Sequence, residues 1–232
     1  MGPLASADVA EIQSLNLGTM RPIAAKAGFS GIDKVPTEKA VLVSAPGPEA
    51  FGGSGLAGDV ICDSTHHGGD AKAVYAYARE DLDWWQAQLG DLRSGMFGEN
   101  ITTAGLEVTG ALIGETWRIG RDLVLQVTAP RVPCSVFSAW IDRLGWIKAF
   151  TRAARPGAYL RVLEQGEIRA GDGVVVEFRP AHAVTVGETF RALTLEPELC
   201  SHVLGASAYL EEEIVERAER REPFLSFSEG DS

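Results

Sequence analysis

The sequence predicts a mainly β, α+β fold: a compact sheet or barrel with peripheral helices, followed by a short helical appendage. Three observations carry this. A Gly–acid turn recurs in front of short β-rich runs: Gly58-Asp59 before Val60-Ile61-Cys62, Gly114-Glu115 before Thr116–Ile119, and Gly171-Asp172-Gly173 before Val174–Phe178. The spacing of parallel βαβ units is absent, so a doubly wound sheet is not expected. After Pro180 the strand and turn signals give way to helical runs.

Taken in order, residues 11–17 alternate apolar and polar, as a half-buried strand does. Residues 46–58 form a Gly-rich loop that lacks the Gly-Lys-Ser/Thr ending of a phosphate-binding loop. Residues 78–89 read as a helix: Leu82, Trp85 and Leu89 share a face, Glu80, Asp81 and Asp83 crowd the first turns, and Gly90 stops it. Residues 117–128 read as a hairpin around Gly120-Arg-Asp122, and residues 138–154 as one helix ended before Pro156. A second strand series covers 159–163, Ile168 and 174–178. Three helical runs follow, 184–193, 197–204 and 207–221, and the densely charged last one reads as a solvated face. The expected organisation is one domain over 11–180, a three-helix domain over 185–222, and flexible ends at 1–10 and 223–232.

The 232 residues suffice to bury a core without metal or disulfide staples. The net charge of −11 argues against a nucleic-acid polymer and against an anionic membrane surface as partners. Residues 185–232 carry 11 acidic and 4 basic side chains, so a fifth of the chain holds most of the excess. Three widely spaced cysteines make no disulfide framework, and no basic-then-apolar leader opens the sequence; a cytoplasmic location is expected.

Three segments could carry chemistry. In Thr128-Ala-Pro-Arg-Val-Pro-Cys134, two prolines stiffen the chain around Arg131 and a cysteine ends it. A fixed cation favours thiolate, which is a nucleophile and a soft metal ligand; a buried, inert cysteine is the alternative, and spacing alone leaves it somewhat ahead. Cys62, on an apolar strand, and Cys200, on a short helix, read as inert. In His66-His67-Gly68-Gly69 a histidine holds the turn or contacts an anion, and Lys72 and Arg79 make the neighbourhood basic. Phe97-Gly-Glu-Asn-Ile-Thr102 places Glu99 and Asn100 at a turn, either closing it through side-chain bonds or facing a ligand.

Gly55-Leu-Ala-Gly-Asp59, His66-His-Gly-Gly69, Ala73-Val-Tyr-Ala-Tyr77, Phe97-Gly-Glu-Asn-Ile-Thr102, Pro130-Arg-Val-Pro-Cys134 and Gly157-Ala-Tyr-Leu-Arg-Val162 occur in this order. As a set they resemble the MOSC domain family, named for the C-terminal domain of molybdenum cofactor sulfurase, and within it the bacterial YiiM-like branch. The resemblance runs from about residue 11 to 180, and the remainder resembles the small three-helix (3-alpha) domain of that branch.

The resemblance implies a β-barrel-like MOSC domain and a molybdenum cofactor (molybdopterin). The family's cysteine falls on Cys134, which it implies as catalytic residue and molybdenum ligand. His66, His67, Lys72, Arg79 and Arg131 become candidates for the cofactor phosphate, and Glu99 and Asn100 candidate cofactor contacts. The implied activity is an oxidoreductase that reduces small N-hydroxylated compounds. No flavin or iron–sulfur motif is visible, so electrons would come from a separate donor protein. The alternative is a sulfur carrier or cofactor-binding module that holds a persulfide on Cys134.

Overall fold

The computed structural model describes residues 10–49, 51–62 and 68–225. Strands β1 (Glu11–Gly18), β2 (Arg21–Pro22), β3 (Phe29–Ser30), β4 (Lys34–Thr37), β5 (Val41–Val43) and β6 (Val74–Ala78) precede helix α1 (Arg79–Leu89). Strands β7 (Ile101–Ala104), β8 (Thr116–Ile119) and β9 (Leu123–Pro130) lead to helices α2 (Ser135–Ile141) and α3 (Trp146–Ala153). Strands β10 (Ala158–Glu164), β11 (Gly166–Ile168) and β12 (Val174–Phe178) are followed by helices α4 (Val186–Ala192), α5 (Cys200–Val203) and α6 (Glu212–Arg220).

Eight strands form one sheet in the order β12-β8-β9-β10-β6-β7-β1-β4, and β11–β5 and β2–β3 make two small pairs. The fold is mainly β, α+β, as the sequence predicts, and the large sheet is not a closed barrel. It curls far enough for the start of β1 to meet the turn before β12. The Val174 amide donates to the Ala10 carbonyl at 2.7 Å, and the Ile12 amide to Asp172 at 2.9 Å. Among the described residues no helix is long and apolar enough to cross a membrane.

Strand β6 shows how the sheet supports two cores. Val74, Ala76 and Ala78 point into a core shared with Ile12, Leu125, Leu160 and Trp117. Tyr75 and Tyr77 point the other way, into an aromatic core with Trp85, Phe97, Phe137, Trp146 and Phe150. Alternation with both faces covered explains why every residue of this strand is buried. Val186, Leu193, Cys200, Val203 and Ile214 of the C-terminal helical segment join the first core directly. Cys200 is buried there, its thiol 3.5 Å from the Ala192 carbonyl, in keeping with its inert reading.

Three expectations are corrected. Among the described residues there is one parallel pair: β6 pairs β7 in parallel through α1, a βαβ unit. Its long return through residues 90–100 hides the regular alternation that the sequence test relies on. The helix expected over 138–154 is two, because Asp142 (φ 49°) and Gly145 (φ 71°) adopt left-handed backbone between them. Residues 60–62 are not a strand. The Asp59 carboxylate accepts from the Gly18 amide at 2.6 Å and pins this segment across the end of β1, with the Val60 carbonyl packed on Gly31 so closely that a Cβ there would lie 2.0 Å from it. Near the two ends, Ala10 and Phe224 make defined contacts. Ala10 accepts from Val174, while the Phe224 amide donates to Leu193 at 2.8 Å and its ring lies 4.2 Å below the Arg217 guanidinium.

Candidate functional site

Strand β9 ends at Pro130, paired with Ala158, and the stiff Arg131–Pro133 link carries the chain to Cys134 at the start of α2. Cys134 is half-buried, has extended backbone (φ −123°, ψ 173°), and packs against the aromatic core. It lines a cleft of about 680 Å³, open solvent at its mouth included, together with Arg131, Tyr75, Tyr159, Lys72 and Lys34. Strand β3 with Gly31 and Ile32, and loop residues Val60 to Cys62, Gly68 and Gly98, close the other walls.

Arg131 is 5% exposed. Its Nη1 donates to the Phe97 carbonyl, and its guanidinium lies 4.2 Å from the Phe137 ring centre and 5.0 Å from that of Tyr75. Its Nε has no hydrogen-bond partner among the described residues. Burial opposes the positive charge, but Tyr75, Tyr159 and Cys134 outweigh it and push the Arg131 pKa up. A fixed cation therefore stands within electrostatic reach of the sulfur. Burial drives the Tyr75 and Tyr159 phenols up, against the pull of Arg131, so both stay protonated and neutral near pH 7.

An ion pair lies behind the cavity wall. Lys34 Nζ sits 2.5 and 2.6 Å from the two carboxylate oxygens of Asp59, with side-chain exposures of 7% and 0%. Asp59 also accepts from Asn100 Nδ2 at 2.8 Å, and Asn100 Oδ1 accepts from the Tyr75 amide at 3.2 Å. Burial lowers the Lys34 pKa although Asp59 opposes it.

With this geometry in view, comparison with known proteins is informative. A MOSC domain model matches residues 63–175. YflK of Bacillus subtilis is 32% identical over 178 residues, covering 75% of this chain and 76% of YflK. The chain belongs to the MOSC domain family. A protein named Reductase from Gibberella moniliformis is 32% identical over 143 residues, which is 58% of the MOSC chain described here but only 24% of that protein. The crystal structure of YiiM from Geobacillus stearothermophilus superposes with a TM-score of 0.72 at 25% identity, covering 91% of this chain and 98% of YiiM. With 91% of its length covered by that likeness, the chain is a YiiM-like MOSC protein.

The structure brings together some of the residues the sequence singles out in this MOSC chain and separates others. Cys134, Arg131, Lys72 and Asn100 line the cavity. Glu99 does not. It is fully buried and accepts from the amides of Gly95 and Phe97 and from the Thr102 hydroxyl, at 2.5, 3.0 and 3.0 Å, which closes the turn. Arg79 is turned away, bonded to Asp83 at 2.8 Å and to the Leu92 carbonyl at 2.9 Å. His66 and His67 lie outside the described residues. Cys62 is half-exposed on that wall rather than within a strand, and burial raises its thiol pKa against the pull of Lys34.

Sequence reasoning missed Lys34, Asp59, Glu49 and Glu211. A lysine or carboxylate whose partner lies tens of residues away carries no local signature.

The donor set fits the cofactor the family implies. A soft sulfur, a buried guanidinium with an unpartnered Nε, a lysine and two tyrosine rings converge on one cleft. These are the groups that a thiolate-held metal, a phosphate and a flat heterocycle require.

Proposed function

We propose that this protein binds a molybdenum cofactor and reduces N-hydroxylated compounds with electrons from a separate donor protein. The observation that carries the reading is that Cys134 and the buried Arg131 line one cleft. The fungal relative named Reductase supports the oxidoreductase part.

Cys134 would hold the metal as thiolate, and Arg131 and Lys72 would meet the cofactor phosphate. When bound, the cofactor would supply a redox metal centre able to accept an oxygen atom. Tyr75 and Tyr159, neutral and aromatic, would flank the heterocycle and keep water from the sulfur. In the overall reaction the substrate N–O bond breaks, two electrons arrive from the donor protein and two protons from solvent, and an amine and water leave.

The test combines metal and pterin analysis of freshly isolated protein with turnover of an N-hydroxylated base by wild type and Cys134→Ala. The reading expects molybdenum and pterin in the wild type and no turnover in the variant. Unchanged turnover in the variant, with a competent electron donor present, sinks the assignment. A Cys134 that carries one extra sulfur atom by mass spectrometry, with no molybdenum present, favours the sulfur carrier instead.

A further inference from the structure

Lys72 of the cavity wall is the centre of a charge cluster whose two carboxylates stand behind it. Lys72, at the end of a 3-10 turn over Asp70–Lys72, has its Nζ 3.0 Å from Glu49 Oε1 and 3.4 Å from Glu211 Oε2. One ammonium between two carboxylates leaves a net charge of −1 at a wall that, under the proposed function, meets a phosphate. The side chains of Lys72 and Glu211 are 15% and 19% exposed and that of Glu49 is 49% exposed, so water screens the Glu211 contact least.

Glu211 comes from the acidic C-terminal segment and immediately precedes α6. The chain leading to it is anchored: Arg161 Nη2 donates to the Tyr209 carbonyl at 3.0 Å, and the Tyr209 ring stands 5.7 Å from that of His182. In the usual N-cap position, Glu211 makes no side-chain bond to its own helix. Its carboxylate stands on the Lys72 ammonium instead, while the open amides at the start of α6 are a second place where a carboxylate is favoured.

We propose that Glu211 is a built-in competitor for the phosphate of the cavity's ligand, holding Lys72 until an anion with further contacts displaces it. This rests on the reading of the cleft as a site for a phosphate-bearing cofactor, and adds what sets its affinity and selectivity. A lone weak anion must displace a carboxylate and gains little; one that also reaches Arg131 gains enough. The acidic helical segment then acts on the site through one side chain.

The test is calorimetric titration of the full chain with inorganic pyrophosphate, without divalent metal and at constant pH. It compares wild type, Glu211→Gln, Lys72→Met and the double variant. Removing the competing charge should tighten pyrophosphate about tenfold. In the Lys72→Met background the same change should matter less than about twofold. Thermal melting checks folding, and Glu211→Ala replaces the amide variant if that one fails to fold. Equal affinity of wild type and Glu211→Gln, the same gain without Lys72, or no binding to either protein overturns the proposal. Pterin content is read separately: pterin present with no effect of Glu211 rejects this inference alone, whereas a tenfold gain in protein that never carries pterin upholds the competitor and rejects the cofactor reading.

Discussion

Replacing Asp59 by asparagine keeps the shape of the side chain and removes its charge. In the wild type the carboxylate is fully buried and accepts from Lys34 Nζ at 2.5 and 2.6 Å, from the Gly18 amide at 2.6 Å and from Asn100 Nδ2 at 2.8 Å. Removing one partner of a buried pair costs about 3–5 kcal/mol, because the other charge is left uncompensated. Lys34 has an escape: it can lose its proton. From an ordinary pKa of 10.5, holding a lysine neutral at pH 7 costs about 5 kcal/mol, which caps the charge penalty. At pH 9 the same cap is only about 2 kcal/mol. The Asp59→Asn variant is therefore expected to lose about 4 kcal/mol at pH 7, read as a drop of about 2 M in the urea midpoint. The loss should shrink to about half at pH 9. The double variant Lys34→Met, Asp59→Leu should recover much of it, since a well-packed apolar pair needs no desolvation of charge. A midpoint within about 0.3 M of wild type at pH 7, or a deficit that does not shrink by pH 9, would refute the reasoning.

Two further outcomes are expected. Arg131→Lys keeps the charge but loses the planar group lying 4.2 Å from the Phe137 ring centre and bonded to the Phe97 carbonyl, so thermal melting should fall by about 5–10 °C; a change under a degree contradicts the packing role. Burial raises the Glu99 carboxyl against the donors of Gly95, Thr102 and Phe97, so the folded chain still holds this proton at pH values where the unfolded chain has released it. That stability is full below the ordinary 4.5 and is lost as pH rises through the raised folded value, so the urea midpoint of Glu99→Gln should gain on wild type between pH 4.5 and 7. A difference independent of pH would contradict the shift.

What the sequence discloses and what it hides divide along physical lines. Local signals carry well: Gly120-Arg-Asp122 makes the β8–β9 hairpin, and the acidic first turns and Gly90 bound α1 within a residue of expectation. Cys134 stands out because two prolines and an arginine are adjacent in the chain, and the structure puts that cysteine and arginine on the cavity wall. Non-local pairing is hidden. β11 follows β10 in the chain yet pairs with β5, and β12 pairs with β8. Lys34 finds its counter-ion at Asp59, and Lys72 finds one at Glu211, within a charge run that reads as a solvated face. Glu99 marks the opposite case: a buried polar residue in a motif that serves the turn rather than the ligand.

The seam between β1 and the turn before β12 bears on how the chain is made. Ile12 bonds to Asp172 and Gly171, and the next-nearest partners of β1 are Ile101 to Ala104 of β7, with only β4 close in sequence. At a synthesis rate of about 5–20 residues per second, the seam cannot form until roughly 8–30 seconds after Ile12 has been added. Contacts of such sequence separation are also slow to close once the chain is complete. Part of β1 can pair with β4 early, but its seam with the turn before β12 must wait for residues 171–174, and until then that stretch offers an open edge to any neighbouring chain.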